Sequence, residues 1–408
     1  MPYTILSVLF SLLYLFFDKT KYKVFAMGSS ALVFFYGLSL DMMDHPKIQI
    51  FFKYKKPHLT TITYAYFFIT LIAILLCHLL IYFFYKRNVY EIEPKQYSVS
   101  GLKKAFYITC FLSLFGLFVN LFNVYVSGFT IELLVMDPRL YEATFGFSII
   151  FNYLYFLSIP ATLIYIYLIK AQGQKVRFGK ILVTIMILIS GFHAIKATIF
   201  DAVLIPGFFF LVVSKDTKLK YMAMVAGALL GIYFIFSAFV RGGYYDSQLL
   251  NLASYIIPNY LNLFYNIETY QTQFTPFYNL FIPDKIQALF PPELNLNPGV
   301  NSTYSINPSY NMYTGLDVLY TDFNLLGPFF FLLIFGFAIY LYNNKFKNII
   351  FVYLLASIIF NYNLSFYVYS YIKIKYFYYL IVMVIIHFLC LDRSYKNTSQ
   401  LDELELKN

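Results

Sequence analysis

Residues 181–213 read ILVTIMILISGFHAIKATIFDAVLIPGFFFLVV, an apolar run whose only charged residues are Lys196 and Asp201. As a single helix rising about 1.5 Å per residue it would reach roughly 50 Å, well beyond a hydrocarbon core of about 30 Å. Its flanks decide how it folds. Lys170, Lys175, Arg177 and Lys180 precede it, and Lys215, Lys218 and Lys220 follow it. Lys and Arg collect in cytoplasmic loops, so both ends belong on the cytoplasmic side and the run must cross an even number of times. The reading is a hairpin of two short helices, about 16 residues each, turning near Gly191-Phe-His193-Ala-Ile-Lys196.

The rest of the chain is built the same way. With 60% hydrophobic, 22% aromatic and 12% charged residues in 408, the apolar surface is too large for a water-soluble core and belongs in lipid. Further runs of membrane length fall at 3–17, 24–40, 62–85, 104–125, 147–169, 221–240, 325–342, 348–366 and 376–391. Together with the hairpin they make an all-α polytopic protein of about 11 transmembrane helices, N-terminus outside and C-terminus inside. The inside segments then carry twice as many Lys and Arg as the outside ones, as expected for this orientation. Met1 to Phe17 lacks a basic n-region and a small-residue cleavage site, so it reads as a retained span. Residues 1–391 form one transmembrane domain and 392–408 a short cytoplasmic tail, polar and expected to be disordered.

The formal charge of +10 follows from this topology, and nothing in a soluble segment pairs a basic run with a stacking platform, so nucleic acid is excluded as a partner. The bilayer is the partner the composition demands. Cys77, Cys110 and Cys390 lie in apolar spans without metal-ligand spacing and read as packing residues. There is no Asp-x-Asp, no HExxH, no Walker loop and no GxGxxG, and no metal or cofactor is expected. Neither His193 nor His78 lies in a His-Asp motif, which leaves a membrane acyltransferase unsupported.

Chemistry outside the lipid needs a polar segment, and 241–323 is the one long enough. It carries Arg241 and Lys285 against Asp246, Glu268, Asp284, Glu293, Asp317 and Asp322. Amphipathic helices lying on the membrane are expected within it, over Leu249–Tyr265 and Asn279–Phe290. Arg241 stands at its mouth, before two glycines that let backbone N–H groups approach an anion, and its fork suits phosphate; the alternative is an interfacial anchor. Lys196 at the hairpin tip either pairs with Asp201, snorkels, or meets a lipid-linked phosphate. Arg139, in Asp137-Pro-Arg-Leu-Tyr-Glu142, is a third phosphate candidate or a local salt bridge. Asp322, Glu268 and Asp317 are candidate bases for deprotonating a sugar hydroxyl, or solvated surface charges. Asn311, Tyr313 and Thr314 offer amide and hydroxyl contacts suited to saccharide.

The layout, with Gly191-Phe-His-Ala-Ile-Lys196 in a short hairpin, Arg241 opening a long loop, and Asn311-Met-Tyr-Thr-Gly-Leu-Asp-Val-Leu-Tyr-Thr-Asp322-Phe-Asn-Leu-Leu-Gly327 leading into the next span, resembles the Wzy-type repeat-unit polymerases of O-antigen and capsule synthesis. Lys196 stands where that family tends to have arginine, and Asn324 where it usually has glycine. The resemblance implies a GT-C-like inner-membrane fold with one long extracytoplasmic loop. It also implies a metal-independent glycosyltransferase that joins undecaprenyl-diphosphate-linked oligosaccharides at the outer face of the cytoplasmic membrane, where a chain-length regulator protein would be its companion. The rival readings are an O-antigen ligase using the same donor and, in a different class, a lipid-linked oligosaccharide flippase, which would ordinarily show two related halves and mid-membrane charges.

Overall fold

The structure, a computed structural model, describes residues 1–20, 23–49, 56–86, 97–128, 144–145, 148–189, 196–214, 248–269, 314–343, 348–365 and 374–392. Among them all regular structure is helical, apart from one isolated bridge between Tyr97 and Leu391. The helices are α1 (Pro2–Phe17), α2 (Val24–Met42), α3 (Pro46–Gln49), α4 (Thr61–Phe84), α5 (Val99–Val126), α6 (Ile149–Phe156), α7 (Ser158–Lys170), α8 (Gly179–Ile189), α9 (Lys196–Val213), α10 (Gln248–Thr269), α11 (Gly315–Phe323), α12 (Phe330–Asn343), α13 (Ile349–Leu364) and α14 (Ile374–Cys390), with a 3₁₀ segment, Asn324–Phe329, joining α11 to α12. Among the described residues, five stretches are helical, long and apolar enough to cross a membrane: Val24–Met42, Thr61–Phe84, Val99–Val126, Ile149–Lys170 and Gly315–Asn343. The chain is a multi-pass membrane protein.

Two helical stretches are described within the long run of 181–213. α8 ends at Ile189 and α9 begins at Lys196. Residues 190–195 and the expected span 221–240 lie outside the described residues, as does Asn279–Phe290.

Two compact units emerge, each made of several chain segments. The first takes Met1–Arg87, Gly243–Asn343 and Ile358–Ile374. Here α1 and α2 pack so closely that a Cβ on Gly37 would lie 2.4 Å from Ser7 Oγ and 2.6 Å from the Tyr3 carbonyl; only glycine allows this approach, the small-residue packing typical of helices in lipid. Carboxylates tie their ends. Asp41 accepts from Thr4 N at 2.7 Å, Thr4 Oγ1 at 2.6 Å and Tyr3 N at 3.3 Å, capping α1. Asp18 caps α2, accepting from Phe25 N at 3.1 Å and Ala26 N at 2.8 Å, which satisfies amides that Lys23, the residue at the cap position, leaves free of any side-chain cap.

The second unit takes Asn88–Gly242, Asn344–Ser357 and Lys375–Asn408. α5 meets α6 through Ser113 Oγ donating to the Tyr155 carbonyl at 2.9 Å and Asn120 Nδ2 donating to Asn152 Oδ1 at 3.1 Å. Near the start of α9, buried Asp201 pairs with Lys375 and accepts from Tyr376 Oη at 2.9 Å. Asp201 thus has a partner from a distant part of the chain, while the Lys196 side chain, and with it the Lys196–Asp201 pair considered from sequence, lies outside what is described.

Outward faces are greasy in both units: Leu9, Leu12 and Phe16 on α1, Phe111, Phe118 and Phe122 on α5, and Ile381, Ile385 and Phe388 on α14 are all exposed. The polar groups Ser7, Thr70, His78, Ser113 and Asn120 are buried instead, as helices in hydrocarbon require.

Candidate functional site

The site is built where α10 meets α11 in the first unit. α11 begins at Thr314, whose Oγ1 accepts from Asp317 N at 3.2 Å, while Gly315 N donates to the Ser365 carbonyl at 2.8 Å. Ser or Thr followed three residues later by an acid is a helix-start pattern in which the acid usually turns back on the cap. Here Asp317 Oδ1 accepts from Asn266 Nδ2 at 2.8 Å, from the far end of α10. Asp317 Oδ2 and Asn266 Oδ1 are both buried and have no hydrogen-bond partner among the described residues. Nor does any described cation form an ion pair with Asp317.

An aromatic wall holds this pair in place. Tyr66 Oη donates to the Leu316 carbonyl at 2.8 Å and its ring meets Tyr320 edge-on at 5.1 Å. Tyr36 lies 5.8 Å from Tyr260 and 5.6 Å from Phe264, and Tyr260 Oη donates to the Leu32 carbonyl at 2.9 Å. Two helices, α2 and α4, therefore fix α10 and α11 around two acceptor atoms in an apolar setting, where an uncompensated acceptor is costly. Such a group is a functional candidate.

The sequence-derived candidates fare differently. Asp317 is 1% exposed and Asp322 0%, so neither is a solvated surface charge. The reason is local: the chain is already helical from Gly315, so the expected loop boundary at 323 falls inside a packed element rather than at its edge. Glu268, two residues along α10 from Asn266, is partly exposed and accepts from His58 N at 2.8 Å. Thr314 caps α11 with its side chain fully buried. Arg241, Arg139, Asn311 and Tyr313 lie outside the described residues.

The expected helix over Leu249–Tyr265 is present as α10, but its described part is packed into the protein rather than open on a polar face. Residues 256–267 are buried throughout. Its polar stripe, Asn259, Asn262 and Asn266, is turned inward and fully packed. These are uncharged amides at helical spacing, suited to a buried hydrogen-bonding face; an outward face would carry Lys, Arg or Glu. That stripe was the available signal for Asn266, which the sequence reading passed over.

A second buried network lies in the same unit. Ser29 Oγ is 2.8 Å from His78 Nε2, 2.6 Å from Tyr362 Oη and 2.9 Å from the Phe25 carbonyl. The carbonyl can only accept, so Ser29 donates to it and receives from His78 and Tyr362. Tyr14 stacks on His78 at 5.1 Å. This serine is spent on its own helix, which argues for a fastening of α2, α4 and α13 rather than a nucleophile.

No group of three or more His, Cys, Asp and Glu able to hold a metal occurs among the described residues. Comparison with family models, with curated proteins and with solved structures finds no match for this chain.

Proposed function

We propose that this protein is a membrane-embedded glycosyltransferase that polymerises polyprenyl-diphosphate-linked oligosaccharide repeat units at the outer face of the cytoplasmic membrane, with Asp317 as its general base. The observation that carries the reading is the buried Asp317 carboxylate with one oxygen held by Asn266 and the other free of any described partner. A base needs such an oriented oxygen. In the reaction the acceptor hydroxyl oxygen attacks the anomeric carbon of the donor glycan and the new glycosidic bond forms. The bond from that carbon to the diphosphate oxygen breaks with its electron pair on the diphosphate, and the proton passes to Asp317 Oδ2. Arg241, Lys196 and Arg139 are the cations proposed for the departing diphosphate, and Asn311, Tyr313 and Thr314 for the saccharide. Asp322 and Glu268 stand as alternative bases.

The eleven-span topology and the GT-C-like arrangement belong to this proposal. What supports the topology is which loops meet within each unit. The amino terminus pairs with Asp41, and His58 N with Glu268, joining segments that the charge pattern puts outside. Lys86 N donates to Asn343 Oδ1, Ser98 N to the Cys390 carbonyl, Ile349 N to Tyr97 Oη, and Tyr107 Oη to the Arg177 carbonyl, joining segments it puts inside. Asp201 and Lys375 both lie near the starts of their helices, as they would if α9 and α14 both descend from the outer face.

The test is a deletion strain and the purified protein. The reading expects single lipid-linked repeat units to accumulate on deletion, and purified protein to lengthen them with release of polyprenyl diphosphate. Long lipid-linked polymer that is never passed to a final acceptor would point to a ligase. Repeat units trapped on the cytoplasmic face would point to a flippase.

A further inference from the structure

We infer that Asn266 is the positioning residue of the acceptor site: its amide N–H holds Asp317 so that Oδ2 takes the proton, and its own Oδ1 receives a second hydroxyl of the acceptor sugar. The inference rests on the glycosyl-transfer reading above and adds the recognition of the acceptor.

Three observations carry it. An ionised carboxylate can only accept, so the amide must face Asp317 with its NH₂ and turn its carbonyl oxygen away. The two unsatisfied atoms are therefore Asn266 Oδ1 and Asp317 Oδ2, both acceptors and both buried. They belong to directly bonded groups, with Asn266 Nδ2 2.8 Å from Asp317 Oδ1. Two buried acceptors on hydrogen-bonded groups select a ligand with two donors, and a saccharide ring with several hydroxyls supplies that. One hydroxyl is activated at Asp317 and the other is held at Asn266, which fixes the ring and thereby the linkage formed. The pair lies near an exposed helix end: Ile267 is buried, Glu268 partly exposed and Thr269 exposed. A site built to hydrogen-bond a hydroxyl also rejects analogues lacking it, because its buried acceptor is left unpaired.

The experiment uses full-length protein in lipid nanodiscs, with the lipid-linked repeat unit that accumulates in the deletion strain as acceptor and preformed lipid-linked polymer as donor. Asn266→Leu keeps the approximate shape and removes both polar functions; Asn266→Asp keeps the shape and replaces the donor by an acceptor. The inference expects both to raise the acceptor KM by about 10-fold or more and lower kcat, with the donor KM unchanged, and Asn266→Ser to recover part of the loss. A purely structural Asn266 would instead lower the folded fraction, read as the thermal midpoint, and leave the acceptor KM of the folded protein as in the wild type; that result overturns the inference. If Asn266→Leu does not fold, the same KM split in Asn266→Asp and Asn266→Ser decides. Absence of transfer by the wild-type protein would sink the functional reading itself, whereas wild-type transfer with unaltered variant kinetics would sink only the role of Asn266.

Discussion

Asn266 donates its side-chain amide to Asp317 across 2.8 Å, linking residues 51 apart in sequence. The bond joins the end of α10 to the first turn of α11 and leaves one acceptor on each partner exposed to nothing described. In a hydrophobic bundle this arrangement is unfavourable unless something else uses it.

Buried charge is handled differently elsewhere. Asp201 is 3% and Lys375 15% exposed at the side chain, and the two compensate each other. Removing one partner leaves an uncompensated buried charge, which typically costs about 3–5 kcal/mol. Asp201→Asn and Lys375→Gln alone are therefore expected to lower the thermal midpoint in detergent markedly, and the double variant to recover most of it. A double variant no better than the sum of the singles would mean that the ion pair contributes little.

Much of this fold could be read from the sequence, because apolar length and lysine placement are local signals. α1, α2, α4 and α5 begin within a few residues of the expected runs. The helical start at Gly315 was hidden because Asp317 and Asp322 read as loop charges; only their packing against α10 shows them as interior groups. Asn266 was hidden for the complementary reason. An amide stripe on a helix reads as a wet face until a partner from another helix is placed against it, and that partner is 51 residues away.

Topology can be tested without a cysteine-free background, since Cys77, Cys110 and Cys390 are buried free thiols. With Lys175→Cys and Ser302→Cys, an impermeant thiol reagent added to intact cells is expected to label Ser302→Cys and miss Lys175→Cys. Labelling of Lys175→Cys from outside would overturn the cytoplasmic assignment of the segment before α8.

Asp18 offers a pH signature. Burial pushes its carboxyl above the usual carboxylate range, against the lowering pull of the hydrogen bonds from Thr20 and Ala26 and the charge of Lys23. A folded-state value above the unfolded one, about 3.9, means the proton favours the fold: the contribution is full below that value and lost as pH rises through the folded one. The thermal midpoint of the wild type relative to Asp18→Asn is therefore expected to be higher at pH 4 than at pH 7. A difference that grows with pH would reverse the assignment. Asp18→Ala, which removes the α2 cap altogether, is expected to destabilise by about 0.5–2 kcal/mol.

The central claim is that Asp317 is the base, and one comparison addresses it: lipid-linked polymer length and initial transfer rate for Asp317→Asn, Asp322→Asn and Glu268→Gln at matched protein level in the membrane. Loss of a general base typically lowers the rate about 10²- to 10⁴-fold. The account predicts that drop for Asp317→Asn with the protein folded and inserted, and a much smaller effect for Glu268→Gln, whose carboxylate is already engaged by His58 N. Polymer of normal length and rate from Asp317→Asn would contradict the account, and loss confined to Asp322→Asn would move the base one and a half turns along α11.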